Sequence, residues 1–347
     1  MPGSDIGIDL GTSSILIYVE KKGILLNEPT VVAVDKETDE ILAMGLEAKR
    51  MVGRTPGRIE VIYPMANGVI SDCTLIEEML LYFLKKVSLR SIFMHRVWVC
   101  IPGIVSDVER RAVVNAVHAA GVRKIYLLDE PVAAAIGAGE NVRLPHGIAV
   151  LDIGAGTSDM AVISMGGVAA GNSIRVAGNR FDEAVIQYCR REFDLIIGER
   201  TAENTKNTIG CVMPRQEKLC CRIKGRCASS GLPIAVTIDS DQILEALHPV
   251  AEEIVEALMQ MLEETPPELM SDIHTDGLLL TGGGAHLYGF DQLIREKTGL
   301  PVRIPPFPEL CVAKGTGKVL KYMDGSQPGD GKINPLWQEN TSLLREY

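Results

Sequence analysis

The chain has 347 residues, of which 46% are hydrophobic and 23% are charged, and its formal net charge is −10. This length and composition predict a globular protein of about two domains rather than a disordered chain. The negative charge argues against nucleic-acid binding, because a groove that holds a phosphate backbone is usually basic. Eight cysteines without a CxxC pair and no apolar run of about eighteen residues predict a cytosolic protein with reduced thiols.

Predicted strands alternate with predicted helices in the first half of the chain. Strands are expected over 5–19 (two strands around a glycine turn), 24–34, 97–101 and 125–128, and helices over 72–88, 106–121 and from 130 onward. The helix at 106 opens with a capping box, in which Ser106 and Glu109 satisfy each other's backbone N–H groups. The alanine-rich helix after 130 has Pro131 in its first turn, where its missing N–H is not needed.

The motif of the first strand pair occurs again about 143 residues later. Residues 5–14 read DIGIDLGTSS and residues 149–159 read AVLDIGAGTSD. Each copy has a strand that ends near an aspartate, Asp9 or Asp152, followed by a glycine turn and a second strand. The repeat predicts two related halves, each of which begins with a phosphate-binding hairpin.

The second half continues the alternation and ends in a polar tail. Helices are predicted at about 180–197, 199–210, 240–264 and 285–298, and strands near 160–165, 219–224, 232–238 and 278–280, the last of which leads into the glycine turn 281–284. Strands that alternate with helices predict an α/β fold. Residues 324–347 are rich in Gly, Pro, Asn and Gln, which predicts a mostly disordered tail that can end in a short helix.

The residue types of the two hairpins suit the phosphates of a nucleotide. Glycine allows positive φ, successive backbone N–H groups form an anion-binding nest, and threonine and serine hydroxyls add donors. An aspartate at each strand end can hold Mg²⁺ directly or through water. Either hairpin alone is equally compatible with a structural turn, so the prediction depends on both together with the glycine turn 281–284. The P-loop and dinucleotide-binding fingerprints are absent.

Hydrolysis of a nucleotide requires a residue that orients or deprotonates the attacking water. Asp129, Glu130 and Pro131 stand where a strand ends and a helix begins, so a carboxylate there can point into a cleft between the halves. We favour Glu130 for this role. The alternative is a first-turn acid that stabilises the helix through its dipole, which is the preferred explanation for Asp129.

These motifs together resemble the superfamily of actin, sugar kinases and heat-shock chaperone ATPases, and within it the MreB family of rod-shape-determining bacterial proteins. The stretches that carry the resemblance to MreB are 8–12, 26–33, 53–57, 64–70, 108–111, 129–139, 180–184 and 280–285. The resemblance implies an α/β, actin-like ATPase fold with two related ribonuclease-H-like halves, divided into four subdomains around a nucleotide cleft. The halves would be 1–147 (subdomain IA, with IB at about 30–70) and 148–323 (subdomain IIA, with IIB at about 178–241).

The resemblance also implies roles for individual residues. Glu130 would position the attacking water, and Asp9 and Asp152 would hold Mg²⁺ through water molecules. Contacts with ATP would come from Gly11, Thr12, Ser13, Gly154, Gly156, Thr157, Glu203, Lys206, Asn207, Gly282, Gly283 and Gly284. The usual family pattern GGGTTE becomes GAGTSD at residues 154–159: Ala155 adds a Cβ beside the phosphates, Ser158 replaces a threonine, and Asp159 is shorter than glutamate. These differences bear on the hydrolysis rate more than on ATP binding.

The function implied by the resemblance is that of a slow, cytoskeletal ATPase. It would form a homopolymer of paired protofilaments at the inner face of the cell membrane, bind anionic lipid and cell-wall elongation proteins, and organise cell-wall synthesis and rod shape. The alternative is a small-molecule, sugar-type kinase on the same fold, which would need an acceptor pocket with its own base. A chaperone-type ATPase would need an appended peptide-binding domain, which the tail of about 25 residues is too short to supply.

A membrane contact is predicted at Ile92, Phe93 and Met94, three apolar residues in a connection between a helix and a strand. Apolar residues ringed by basic ones suit an anionic membrane surface. The basic residues that flank them are Lys85, Lys86, Arg90 and Arg96. The alternative, in which the three side chains simply continue the core, remains open at this point.

Overall fold

The structure is a computed structural model that describes residues 5–87, 96–103, 105–323 and 337–339. The strands are β1 Ile6–Leu10, β2 Ser14–Val19, β3 Gly23–Pro29, β4 Val32–Asp35, β5 Ile41–Met44, β6 Ile59–Ile62, β7 Met65–Ala66, β8 Val69–Ile70, β9 Val97–Ile101, β10 Ile125–Asp129, β11 Ile148–Ile153, β12 Ser158–Ser164, β13 Gly167–Ile174, β14 Leu195–Ile196, β15 Cys220–Cys227, β16 Pro233–Asp239, β17 Leu278–Thr281, β18 Val302–Arg303 and β19 Trp337–Glu339. The helices are α1 Leu46–Met51, α2 Cys73–Val87, α3 Asp107–Ala119, α4 Glu130–Ala138, α5 Gly178–Phe193, α6 Glu199–Ile209, α7 Ser240–Glu263, α8 Pro267–Asp276, α9 Phe290–Thr298 and α10 Cys311–Met323, with short 3₁₀ helices at Gly283–His286 and Pro308–Leu310.

Two mixed sheets form the frames of the two halves. The first has the strand order β19-β10-β9-β1-β2-β3, and the second has the order β13-β12-β11-β17-β18. In each sheet the repeated hairpin is antiparallel, β1 with β2 and β11 with β12, while the strand on its other side, β9 or β17, is parallel. With β19 set aside, the two orders correspond strand for strand. The predicted α/β fold is confirmed.

Local sequence signals explain where two of the helices begin and end. At the start of α3 the Glu109 N–H donates to Ser106 Oγ, and the Ser106 N–H donates to Glu109 Oε2 at 2.7 Å. This is the predicted capping box. Helix α4 has Pro131 in its first turn and ends at Gly139, whose φ of 106° lies in the left-handed region that favours glycine.

Each sheet buries its outer face under helices, because its strands alternate apolar side chains between two faces. Helices α2 and α3 cover the first sheet, where Phe83 and Val117 pack in one core with Ile8 and Val99. Helices α5 and α7 cover the second sheet in the same way, in a separate core. The described part of the chain contains no helix long and apolar enough to cross a membrane.

Helices α4 and α10 belong to a third core that joins the two sheets. Its members come from both sheets and from both helices: Trp98, Leu128, Ile136, Val150, Ile163, Val312 and Val319 are among them. The two helices cross almost backbone to backbone, since a Cβ on Gly137 would lie 1.8 Å from the Cys311 carbonyl oxygen, and one on Gly315 would lie 1.9 Å from that of Ala133. Substitution of either glycine would therefore force the helices apart.

The position of α10 differs from the predicted division of the chain. The interval 148–323 was assigned to the second half, yet α10 packs against β1, β2 and β3 as well as α4. The chain thus returns to the first sheet after Leu310. The apolar face of α10 is buried there, and a pattern of apolar residues in the sequence does not specify which sheet buries it.

Two small sheets lie at the ends of the halves. The three strands β5-β4-β6, with α1, fall inside the interval 30–70 and share a small core of Val31, Ala33 and Ala48. The strands β14-β15-β16 fall inside the interval 178–241. Within the predicted disordered tail, β19 pairs antiparallel with β10, with Trp337 opposite Leu128 and Glu339 opposite Tyr126. Disorder is therefore the wrong prediction for those three residues, because composition does not reveal a free sheet edge that can pair.

Candidate functional site

A cleft of about 870 Å³ is lined by both repeated hairpins, whose turns meet where Gly156 packs against Thr12. This volume lies in the range that small-molecule and cofactor sites occupy. Every predicted residue of the nucleotide site lines the same cleft: Asp9, Gly11, Thr12, Ser13, Glu130, Asp152, Gly154, Gly156, Thr157, Glu203, Lys206, Asn207, Gly282, Gly283 and Gly284. The structure thus brings together residues that are up to about 275 positions apart in the sequence.

The turn between β7 and β8 lies between the two hairpins. The Gly68 N–H donates to Thr12 Oγ1 at 2.9 Å, and a Cβ on Gly68 would lie 2.7 Å from Thr157 Cγ2. Both Asn67 and Gly68 have positive φ, 49° and 77°, as a tight Asn-Gly hairpin turn requires. The sequence shows this Asn-Gly signal, but the sequence analysis did not place the turn in the cleft.

Two aspartates lie beside the phosphate-binding turns, Asp152 buried and Asp9 half-buried. Burial raises the pKa of Asp9 to about 7, and the charge of Asp152 adds to the rise. Burial also raises the pKa of Asp152 to about 7; the hydrogen bond from Thr281 opposes this rise, and the charge of Asp159 adds to it. Thr281 Oγ1 donates that hydrogen bond to Asp152 Oδ1 at 2.5 Å. Thr281 belongs to the predicted glycine turn 281–284, but no contact with Asp152 was predicted for it.

Glu130 is the first residue of α4 and is buried at the base of the cleft. Burial raises its pKa well above the usual value, and the charges of Asp159, Asp9 and Asp152 raise it further. Among the described residues, the charges that act most strongly on Glu130 are thus those of other carboxyl groups. Such a group of carboxylates becomes stable in ionised form when a bound cation offsets the charge.

The carboxylates and the Thr281 hydroxyl provide oxygen donors only, which is the chemistry that Mg²⁺ prefers. Among the described residues, no three His, Cys, Asp or Glu side chains are arranged to hold a metal ion directly. The residues present therefore fit an ion that keeps several water molecules and is shared with a ligand's phosphates. They do not fit a metal enclosed by protein ligands alone.

The residues predicted for the nucleoside already have protein partners. Lys206 Nζ lies 2.9 Å from Asp182 Oδ1 and donates to the Gly178 carbonyl at 3.0 Å. Glu203 forms an ion pair of 3.3 Å with Lys49, which links α6 in the second half to α1 in the first. Both side chains of that pair are more than one-third exposed, so the pair contributes little to stability. The sequence analysis identified neither Lys49 nor Asp182.

The glycine turn after β17 has two structural roles. A Cβ on Gly282 would lie 2.3 Å from the Ile153 carbonyl oxygen, and one on Gly284 would lie 2.3 Å from Ile153 Cγ2. These two glycines are therefore required by close packing against β11. A Cβ on Gly283 would meet no atom within 4 Å. Of the three glycines, Gly283 is therefore the one that close packing does not require.

The predicted membrane residues Ile92, Phe93 and Met94 lie outside the described residues. Two of the basic residues that flank them have acidic partners: Lys86 Nζ lies 2.9 Å from Glu28 Oε1, and Arg96 Nε donates to Asp5 Oδ2 at 2.8 Å. Lys85 is exposed at the end of α2. Because these acidic partners offset their charge, Lys86 and Arg96 contribute less positive charge to this region than the sequence suggests.

Two halves with the same strand order, a shared core of two crossing helices and a cleft between paired glycine hairpins define the actin-like fold. Solved structures agree with this assignment. The chain superimposes on the filament-forming MamK, described as a double helical filament, with a TM-score of 0.78 over 92% of this chain and 99% of that chain; at 18% identity this likeness shows the fold alone.

The chain belongs to the MreB/Mbl family, whose model matches residues 3–328. Mbl, a cell shape-determining protein of Bacillus subtilis strain 168, is 47% identical over 92% of this chain and 96% of its own length. The cell shape-determining protein MreB of Escherichia coli K12 is also 47% identical, over 93% of this chain and 95% of its own. MreB5 of Spiroplasma citri bound to ADP is 34% identical and superimposes with a TM-score of 0.87, over 93% of this chain and 99% of that chain.

Replacing Asp152 by Asn tests whether the buried carboxylates strain the ligand-free protein. The folded state raises the pKa of Asp152 to about 7, so stability falls as pH rises from about 4 to 7. Asp152→Asn keeps an acceptor for Thr281 but has no charge. It should raise the free energy of unfolding at pH 8 by about 2–4 kcal/mol, and by less than half as much at pH 5.

The measurement is urea unfolding without nucleotide or divalent cation, at both pH values. The exposed Glu217→Gln serves as the control and should show no such difference. If Asp152→Asn does not raise the free energy of unfolding at pH 8, or raises it equally at pH 5, the buried carboxylates do not strain the ligand-free protein.

Proposed function

We propose that this protein is an actin-like cytoskeletal ATPase that determines cell shape. It binds ATP with Mg²⁺ in the cleft, hydrolyses the nucleotide slowly and assembles into filaments of paired protofilaments at the inner face of the cell membrane, where they organise cell-wall synthesis. The observation that carries the proposal is the pair of hairpins that line one cleft, with Asp9 and Asp152 beside them. The family membership, with relatives named for cell shape at 47% identity, supports the cytoskeletal function over the sugar-type kinase.

Nucleotide binding would use the backbone and the hydroxyl groups of both hairpins. The turn after β1 offers Thr12 and Ser13, and the turn after β11 offers Thr157, so donors reach the phosphates from two sides. Bound Mg²⁺ would offset the phosphate charge and the charge of the two aspartates. The related MreB5 of Spiroplasma citri has been crystallised with ADP and with AMPPNP, which supports nucleotide binding here.

Hydrolysis would depend on Glu130. Its carboxyl group lines the cleft between the hairpins, where it can orient a water molecule towards the terminal phosphate and accept its proton. Glu130 opens α4, and α4 lies in the core shared by both sheets. The position of this carboxyl group would therefore follow the relative placement of the halves, which couples hydrolysis to the shape of the protomer.

Membrane association would come from Ile92, Phe93 and Met94, as the sequence predicts. Three apolar side chains bind a bilayer weakly on their own. A filament presents many copies of the same loop, so its avidity multiplies a weak contact into stable attachment. The same argument makes membrane binding dependent on assembly, and therefore on the nucleotide.

Replacing Glu130 by Ala should separate hydrolysis from binding. Removing a water-orienting carboxylate should slow phosphate release by about 10²–10⁴-fold, while the affinity for ATP should change by less than about threefold, because the phosphate contacts remain. Phosphate release and calorimetric titration measure the two quantities. Asp129→Asn, which changes the adjacent acid, should slow release far less. Loss of ATP binding in Glu130→Ala would show that Glu130 holds the nucleotide instead.

Sedimentation with and without anionic liposomes tests the assembly. The protein should pellet with ATP and Mg²⁺, and it should float with liposomes that contain anionic lipid. Replacing Ile92, Phe93 and Met94 together by serine should abolish flotation and leave pelleting intact. Absence of pelleting in every nucleotide state, together with ATP-dependent phosphorylation of a sugar, would favour the kinase.

A further inference from the structure

Asp159 forms a hydrogen bond between the two halves of the molecule. It is the second residue of β12, in the second half, and its side chain is fully buried. Its Oδ1 atom accepts the N–H of Gly103 at 2.8 Å. Gly103 lies two residues beyond the end of β9, in the first half. Because a hydrogen bond to a carboxylate is stronger than one between neutral groups, this contact can fix the turn after β9 relative to the second hairpin.

The contact adjoins the start of α4. A Cβ on Gly103 would lie 3.7 Å from Asp159 Oδ1 and 3.8 Å from Pro131 Cγ, so the glycine, the aspartate and Pro131 meet in one place. Pro131 follows Glu130 directly. The charge of Asp159 is also the largest of the charges that act on the Glu130 carboxyl group. The cross-half hydrogen bond and the proposed water-orienting residue are therefore immediate neighbours.

The Asp159 carboxyl group is also linked to Glu130. Burial raises the pKa of Asp159, and hydrogen bonds with the Gly103 N–H and with the side chains of Ser173, Thr157 and Glu130 oppose this rise. Asp159 therefore connects the turn at Gly103 with the Glu130 carboxyl group. The contact with Gly103 requires an oxygen acceptor at this position.

We propose that Asp159 is a positioning residue for hydrolysis, which ties the turn at Gly103 to the second hairpin and so fixes Glu130 at the reactive end of the cleft. The proposal rests on the proposed role of Glu130. Asp159 itself need not touch the nucleotide or the water. When the two halves separate, the hydrogen bond to Gly103 breaks and Glu130 loses its support; when they come together, both return.

The test compares three variants that alter this one contact. Asp159→Ala removes the acceptor, Gly103→Pro removes the donor from the opposite half, and Asp159→Asn keeps an oxygen acceptor. Phosphate release at saturating ATP should fall about tenfold to a hundredfold in the first two variants, as expected for misplacement of a catalytic group. Asp159→Asn should retain release within about threefold, and KM should stay within the same factor in all three, because the phosphate contacts are unchanged.

The control for loss of a buried aspartate is Asp35→Ala. Asp35 is buried in the small sheet of the first half, where it accepts hydrogen bonds from the Glu37 N–H and the Arg58 side chain, and it does not line the cleft. Its truncation should leave phosphate release unchanged. Melting temperatures of all variants, measured in parallel, identify any protein that fails to fold. If Asp159→Ala does not fold, Gly103→Pro provides the test, and if Gly103→Pro does not fold, Asp159→Ala provides it.

Amide hydrogen exchange gives a readout that does not depend on activity. The Gly103 N–H should exchange slowly in the wild type and in Asp159→Asn, and faster in Asp159→Ala. Unchanged phosphate release in Asp159→Ala and Gly103→Pro, or an equal fall in Asp159→Asn, would overturn the positioning role. If Glu130→Ala hydrolyses ATP normally while Asp159→Ala does not, the proposed role of Glu130 fails and the contact between the halves stands.

Discussion

Four carboxyl groups meet where the two halves of the molecule face each other, those of Glu130, Asp152 and Asp159 buried and that of Asp9 half-buried, and the rest of the structure depends on how that charge is offset. Burial raises the pKa of each, and mutual repulsion adds to the rise for Asp9, Glu130 and Asp152. The protein provides no cation among them within the described residues. A site built in this way is preorganised for a ligand that brings positive charge and phosphate oxygens, because the dipoles and hydroxyl groups of the hairpins are already in place.

The core of α4 and α10 is what allows the fold to hold such a site. It joins both sheets through apolar side chains and a close crossing of two helices, and it lies directly beneath the carboxylates. The polar contacts between the halves outside this core include the ion pairs of Lys49 with Glu203 and of Arg175 with Glu109, and the hydrogen bond of Gly103 with Asp159. An extensive apolar core together with few polar contacts elsewhere between the halves suits a molecule whose halves respond to the nucleotide between them. We propose that this response links hydrolysis to filament assembly.

The features that sequence reasoning predicted are the local ones. The repeated hairpin, the capping box at Ser106 and the helix that opens at Glu130 each depend on residues within a few positions of one another, and the structure contains all three. The short helix α1 has too few residues for a periodic pattern, and α8 was missed although the pair Pro266 and Pro267 gives a start signal. The contacts of Asp159 with Gly103, and of Lys49 with Glu203, join positions 56 and 154 apart, and nothing in their local sequence specifies them. For the same reason the close packing of Gly282 and Gly284 against Ile153 was not predicted.

Calorimetric titration of the nucleotide-free protein with ATP at pH 7, in buffers of different ionisation enthalpy, tests the central claim most directly. Binding should require Mg²⁺, saturate at one site and release roughly one proton, because Asp9 and Asp152 are each about half protonated at that pH and a bound cation lowers both pKa values. Binding that is independent of Mg²⁺, or that releases no proton, would contradict the account in which the two hairpins and their aspartates grip a single magnesium-bound triphosphate.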